Sequence, residues 1–261
     1  MNALDQFRQY LQAAGQTPGT IGIKMSYLKR LAESHPDLLT VSESDLLAWL
    51  GNPEWKPETR KSARSNLRAF YSWAHRSKLI EQDPSLYLPA VRVPAGKPKP
   101  AAETDVQSAI SKAHGKQLVM VLLAAYAGLR RNEIATLRRA DVTSYGLRVT
   151  GKGGRTRVVP IHPALMGPLA AYLDTHESPW VFPSDRREGE HVSSDHVYRQ
   201  VREVLGHNTH TLRHRFATKA YQGSHDLRAV QELLGHSSPQ TTQRYTLVET
   251  DALNAAVLSV A

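Results

Sequence analysis

Six side chains of this 261-residue chain could together move a phosphoryl group onto a tyrosine without a metal ion: two guanidiniums, an ammonium, two imidazoles and a phenol. They are Arg213 and His210 in His210-Thr211-Leu212-Arg213-His214, His236 in Leu234-Gly235-His236-Ser237-Ser238, Tyr245 closing Thr241-Thr242-Gln243-Arg244-Tyr245, and Arg130 and Lys152 upstream. A guanidinium offers paired donors that match phosphate oxygens and stays ionised at any working pH, while an imidazole exchanges a proton near neutrality. A phenol, with a pKa of about 10, attacks only when a base takes its proton or cations stabilise its oxyanion. The set offers both, and it points to chemistry on DNA.

Each piece also has an ordinary reading. His210 and Arg213, three apart at a helix start, can converge on one anion, yet alone they read as a surface histidine beside a helix-stabilising arginine. Tyr245 alone reads as a buried tyrosine with a bonded hydroxyl. His210 and His214 are four apart, as in the two-histidine helix of zinc hydrolases, but Thr211 stands where the glutamate base belongs, and only His207 is at hand as a further ligand. With no cysteine there is neither a disulfide framework nor a thiolate metal site. No metal and no cofactor are expected.

The elements that must position these groups follow from pattern. The length favours two domains. Residues 89–101 hold Pro89, Pro94, Pro98 and Pro100 with Lys97 and Lys99, so they run extended and read as a linker between a helical domain at 1–88 and a second domain at 102–261. Helices are expected at 3–14, 20–33, 44–50 and 58–77. On the fourth, Ala63, Leu67, Phe70 and Ala74 form a core stripe, and Arg60, Arg64 and Arg68 form a cationic one. Such a stripe is commonly a solvated face. Here no acidic residue interrupts 59–80, and that favours DNA contact.

After the linker a helix capped by Thr104, a buried helix at 116–127 and a short one at 132–137 are expected. Then β-rich segments at 147–150 and 156–161 flank Gly151-Lys152-Gly153-Gly154-Arg155, which predicts a hairpin with a basic tip. Helices at 164–175, 193–205, 212–222, 226–234 and 238–246 complete the chain. The fold class expected is mainly α with a small antiparallel β-sheet in the second domain, arranged as a two-domain DNA clamp.

A net charge of +9 suits a polyanionic partner, since each Lys or Arg on a phosphate releases condensed counterions. The start of the chain shows no secretory pattern, and the apolar run 118–129 is too short to span a bilayer. A protein that stays in the cytoplasm on DNA, away from membranes, is expected.

Taken together, Ala127-Gly128-Leu129-Arg130-Arg131-Asn132-Glu133, His210 through His214, and Leu234-Gly235-His236 through Tyr245 resemble the signatures of the tyrosine site-specific recombinases, the phage integrases and Xer-type recombinases. The resemblance runs over nearly the whole chain, with Ala127 and Asn132 departing from the Thr and Ser often found there. It implies Tyr245 as nucleophile, Arg130 and Arg213 as clamps on the scissile phosphate, Lys152 as general acid for the leaving 5′ oxygen, His210 as the group assisting deprotonation of Tyr245, His236 on a non-bridging oxygen, and Glu133 as the acid that orients Arg130. Arg155 and Arg157 share the hairpin with Lys152, but an arginine hardly gives up its proton.

The resemblance further implies a 3′-phosphotyrosine intermediate, four protomers on a double-stranded recombination site, a Holliday junction, and no need for ATP. Arg60, Arg64, Arg68, Lys97 and Lys99 would hold the duplex. The role expected is integration or excision of a phage or mobile element, with chromosome dimer resolution left open beside it. A directionality factor or a DNA-bending protein is a partner that the family allows and that no segment of the chain reports. The tail, with Leu253, Ala256, Val257 and Val260 at helical spacing, docks on a neighbouring protomer or packs in its own core, and a separate arm-site-binding domain is expected to be absent. Two other readings remain: a DNA-binding regulator that cuts nothing, and a type IB topoisomerase.

Overall fold

In the computed structural model, which describes residues 2–94, 99–151 and 154–235, Asn2, Thr17 and Ser42 each accept a backbone N–H with a side-chain oxygen. They thereby start α1 (Ala3–Ala13), α2 (Pro18–Ala32) and α3 (Glu43–Leu50). Asp45 returns the bond to the Ser42 N–H at 3.0 Å, a reciprocal cap that satisfies two otherwise orphaned donors. α4 (Pro57–Arg76) opens on a proline, whose missing N–H is no loss in a first turn. Ala63, Leu67, Phe70 and Ala74 are wholly buried on it, as their spacing predicts, and Phe70 meets the edge of Phe7 of α1 with ring centroids 5.3 Å apart. Each large side chain so buried stabilises by about 1.5–3 kcal/mol.

The chain divides into two units, Met1–Gly96 and Lys97–Ala261. In the second, α5 (Glu103–Lys112) starts ahead of the expected Thr104 cap: Ala102 stands at the cap position and offers no side-chain bond. The reason is tertiary. Arg215 grips the Glu103 carboxylate at 2.9 and 2.8 Å and so fixes the first turn from outside. α6 (Gly115–Tyr126) is buried continuously from Val119 to Ala125 and is the centre of the main core. It is followed by the short α7 (Arg131–Ala135).

The hairpin forms from β2 (Gly146–Thr150) and β3 (Thr156–Val159), joined by a two-residue β1 (Val142–Thr143) that the sequence pattern does not show; the order is β1-β2-β3, antiparallel throughout. β2 and β3 pair Leu147 with Val159 and Val149 with Arg157, and this puts residues 147, 149, 157 and 159 on one face. Then come α8 (Pro163–Leu173), α9 (Ser194–Leu205), α10 (Thr209–Ser224) and α11 (Leu227–Leu234). α10 starts three residues before the expected 212, because the Asn208 side chain accepts the His210 N–H at 2.8 Å. The fold is thus mainly helical with one small antiparallel sheet. The helix expected at 238–246 and the tail residues Leu253, Ala256, Val257 and Val260 lie outside the described residues.

Candidate active site

The site begins at a glycine that no other residue could replace without movement. α6 ends at Tyr126, and Gly128 turns the chain with φ +63; a Cβ there would stand 2.4 Å from the Phe216 ring. The turn delivers Arg130 to the N-cap of α7, where Glu133 accepts the Arg130 N–H at 2.9 Å. The same carboxylate accepts the Arg130 guanidinium, Nη1 to Oε1, at 2.7 Å.

Glu133 is 4% exposed, and it is the hub of the site. Arg157 approaches it with two parallel bonds, Nη1 to Oε1 at 3.0 Å and Nη2 to Oε2 at 2.8 Å, and Arg213 Nη1 stands 3.9 Å from Oε2. Burial pushes the Glu133 carboxyl up, but the hydrogen bonds from Arg157 and from the Arg130 N–H and guanidinium together outweigh it and hold the group below its usual range. It is therefore an anion among guanidiniums.

Those guanidiniums also gather the end of α11. The last carbonyls of a helix have no partner within it and carry the negative end of its dipole. Leu234 O accepts from Arg213 at 2.6 Å and from Arg130 at 3.4 Å, Leu233 O accepts from Arg157 Nε at 2.7 Å, and Arg213 also donates to Gly128 O. Gly235 then leaves the helix in the left-handed conformation, φ +61, from which the chain continues to His236. Arg213 is buried, whereas about a third of the Arg130 side chain, 36%, faces solvent.

His210, in the first turn of α10, is exposed as a residue, yet its ring titrates below the ordinary histidine range. Partial desolvation is the first cause, followed by the positive charges of Arg213, Arg130 and Arg131. Its ring lies edge to face with His214, 5.3 Å between centroids. A cavity of about 450 Å³ opens beside Arg130 and His210, lined also by Arg131, Tyr198, Asn208 and Thr209. Among the described residues, no group of three or more His, Cys, Asp or Glu is placed to hold a metal ion; His207 faces Asp105 at 3.5 Å.

Of the residues expected to do chemistry, the structure brings Arg130, Glu133, His210 and Arg213 together. Lys152, His236 and Tyr245 lie outside the described residues. The hairpin closes around 152–153 through Gly151 N to Arg155 O, 2.8 Å, and Gly154 N to Gly151 O, 3.2 Å. Arg155 is exposed there, while Arg157, which shares the basic hairpin with Lys152 in sequence, turns inward onto Glu133. The signal was present: residues 157 and 159 share a strand face by period two, and Val159 is core.

In the first unit the cationic stripe of α4 divides. Arg60 donates to Leu50 O at 2.7 Å and to Asn52 O at 2.8 Å, and Arg64 donates to Leu88 O from Nε at 3.0 Å and Nη2 at 2.7 Å. Arg68 is exposed and lines a groove of about 530 Å³ with Lys24, Arg64 and Arg76. Lys99 is exposed, and Lys97 lies outside the described residues.

Residues 101–251 match the phage integrase family. The chain is 31% identical to the tyrosine recombinase XerA of Pyrococcus horikoshii over 97% of its own length and 92% of that protein, and 31% identical to the tyrosine recombinase XerD of Vibrio cholerae over 79% and 76%. Among solved structures it resembles a lambda integrase dimer bound to a COC′ core site, with TM-score 0.74 and 22% identity over 93% of this chain and 75% of that one. It also resembles XerH bound to a palindromic difH substrate after cleavage, with TM-score 0.71 and 20% identity over 97% and 83%. The chain belongs to the tyrosine recombinases, the enzyme family of phage integrases and Xer recombinases. Its two units have the core-binding and catalytic fold of that family.

Proposed function

We propose that this protein cuts and rejoins double-stranded DNA at a specific site through a 3′-phosphotyrosine intermediate, and that it exchanges strands through a Holliday junction within a homotetramer. The observation that supports this most is the convergence of Arg130 and Arg213 on Glu133 and the end of α11, with His210 beside them, immediately before the segment that carries His236 and Tyr245. In this reading Arg130 and Arg213 neutralise the scissile phosphate as negative charge develops on it. Tyr245 Oη attacks phosphorus as its proton passes to His210, the bond to the 5′ oxygen breaks in line, and Lys152 gives that oxygen its proton. His236 donates to a non-bridging oxygen. The phosphodiester becomes a phosphotyrosine ester of similar energy, so the 5′ hydroxyl of another strand can reverse the step without ATP.

A neutral His210 suits the role of proton acceptor, and burial together with the nearby arginines favours that neutral form in the unbound protein. Arg68, Lys24 and Arg76 of the first unit grip the DNA backbone, aided by Lys97 and Lys99; Arg60 is left out because its donors face carbonyls of its own unit. Integration or excision of a mobile element and resolution of chromosome dimers use one cleavage cycle, so the cut site on genomic DNA assigns the role. Incubation with a nicked site, from which the short piece carrying the released 5′ hydroxyl diffuses away, tests the reaction: a covalent protein–DNA adduct forms in EDTA with the wild type and not with Tyr245→Phe. A protein that binds its site and yields no adduct under those conditions would be a regulator of the same fold.

A further inference from the structure

The Arg157 side chain is only 10% exposed, and every bond its guanidinium makes goes to a protein oxygen in another part of the site. Its Nη atoms take both oxygens of Glu133, the carboxylate that also holds Arg130. Its Nε takes Leu233 O at the end of α11. Two glycines let backbone come close to this junction. A Cβ at Gly235 would lie 3.0 to 3.3 Å from the Arg157 guanidinium and side chain, and a Cβ at Gly151 would lie 3.6 Å from Glu133 Oε1 and 3.8 Å from Arg157 Nη1. One guanidinium thus bonds the carboxylate behind Arg130 to the end of α11, with Gly151 and Gly235, the residues before Lys152 and His236, close beside it.

We infer that Arg157 is a positioning residue for strand cleavage: it locks the mouth of the β2–β3 hairpin and the end of α11 onto Glu133, and so sets where the acid and His236 meet the phosphate. Arginine suits this task because a planar fork pairs with a carboxylate in one orientation, which an ammonium cannot impose. The inference rests on the recombinase reading for its effect on rate, but the anchoring itself does not.

The test uses the full chain with Arg157→Gln and Arg157→Lys, the second keeping the charge in case the first fails to fold. Affinity for the DNA site should stay within about threefold, since the bonded donors of Arg157 are taken by Glu133 and Leu233 O. Single-turnover cleavage should fall by about 100-fold for Gln, the scale of a misplaced reacting group, and by less for Lys. With a 5′-bridging phosphorothiolate, whose sulfur leaves without needing a proton, part of that loss should be recovered. A defect of the fold alone would lower both substrates equally. Amide hydrogen exchange at Leu234 and Gly235 should quicken in both variants. Unchanged cleavage, affinity lost in proportion to rate, or equal loss on the two substrates would overturn the inference. If the wild type forms no adduct at all, the recombinase reading falls separately. Exchange then decides the anchoring: quickened exchange upholds it and unchanged exchange refutes it.

Discussion

Glu133 and Arg213, eighty positions apart in the chain, stand 3.9 Å from each other with each side chain 3% exposed, and Arg130 and Arg157 bond to the same carboxylate. A buried anion surrounded in this way compensates charges that would otherwise oppose one another. Glu133→Gln removes the compensation while keeping the shape. It should destabilise the second unit by about 3 kcal/mol, the cost typical of breaking a buried pair. Trp180, the one tryptophan after residue 96, reports that unit's transition in denaturant. A loss below about 1 kcal/mol would mean that the cluster is hydrated and weakly coupled.

The same carboxylate gives the site an acid limit. Its folded pKa lies below the unfolded value of about 4.3, so its contribution to stability is fully present above that pH and is lost as pH falls through the folded value. Glu103, held near a pKa of about 2 chiefly by the Arg215 hydrogen bonds, acts in the same direction, reduced by its solvent exposure. Trp180 fluorescence in acid titration should show the second unit unfolding below about pH 4, and Glu133→Gln should flatten that dependence.

His210 titrates in the opposite sense to a histidine that has gained an acidic partner. Its folded pKa is lowered, so its neutral form is favoured, and stability is full above about pH 6.5 and falls as pH drops through the folded value. Proton NMR of the unbound protein should place the His210 midpoint below about 6.5. Arg131→Gln removes one of the charges that depress it and should move the midpoint up. A midpoint that stays fixed would leave the shift to desolvation and to Arg213 and Arg130.

Gly128 carries two separate demands, a left-handed backbone and contact with the Phe216 ring. Gly128→Ala should cost about 1–2 kcal/mol for the backbone and about 1–3 kcal/mol for the overpacking. Adding Phe216→Leu should return the second part and not the first. Full additivity of the two changes in denaturation would show that they do not meet.

Arg60 and Arg68 lie two turns apart on α4 and should behave differently. Arg68→Gln should weaken binding to all sequences alike and lower the slope of log K against log salt by about 1, as the loss of one phosphate contact does. Arg60→Gln should lower the stability of the first unit, where it loses bonds to Leu50 O and Asn52 O, and leave the slope unchanged. Equal slope changes would return Arg60 to the DNA surface.

Much of the protein is decided by interactions within a few residues of the sequence. Thr17 before Pro18, Ser42 with Asp45, and the four-and-three spacing from Ala63 to Ala74 start helices and choose their buried faces locally, so they can be read without the fold. Arg130 and Glu133, three apart, belong to the same class, as does the signature around His210 and Arg213. What the fold alone decided involves partners distant in the chain. Which arginines of a basic run face inward depends on carbonyls and carboxylates brought by other elements: Leu88 for Arg64, Glu103 for Arg215, Glu133 and Leu233 for Arg157. A guanidinium carries the same charge in sequence whether it waits for a phosphate or closes a buried ion pair. Only packing, by supplying or withholding the oxygen, tells the two apart.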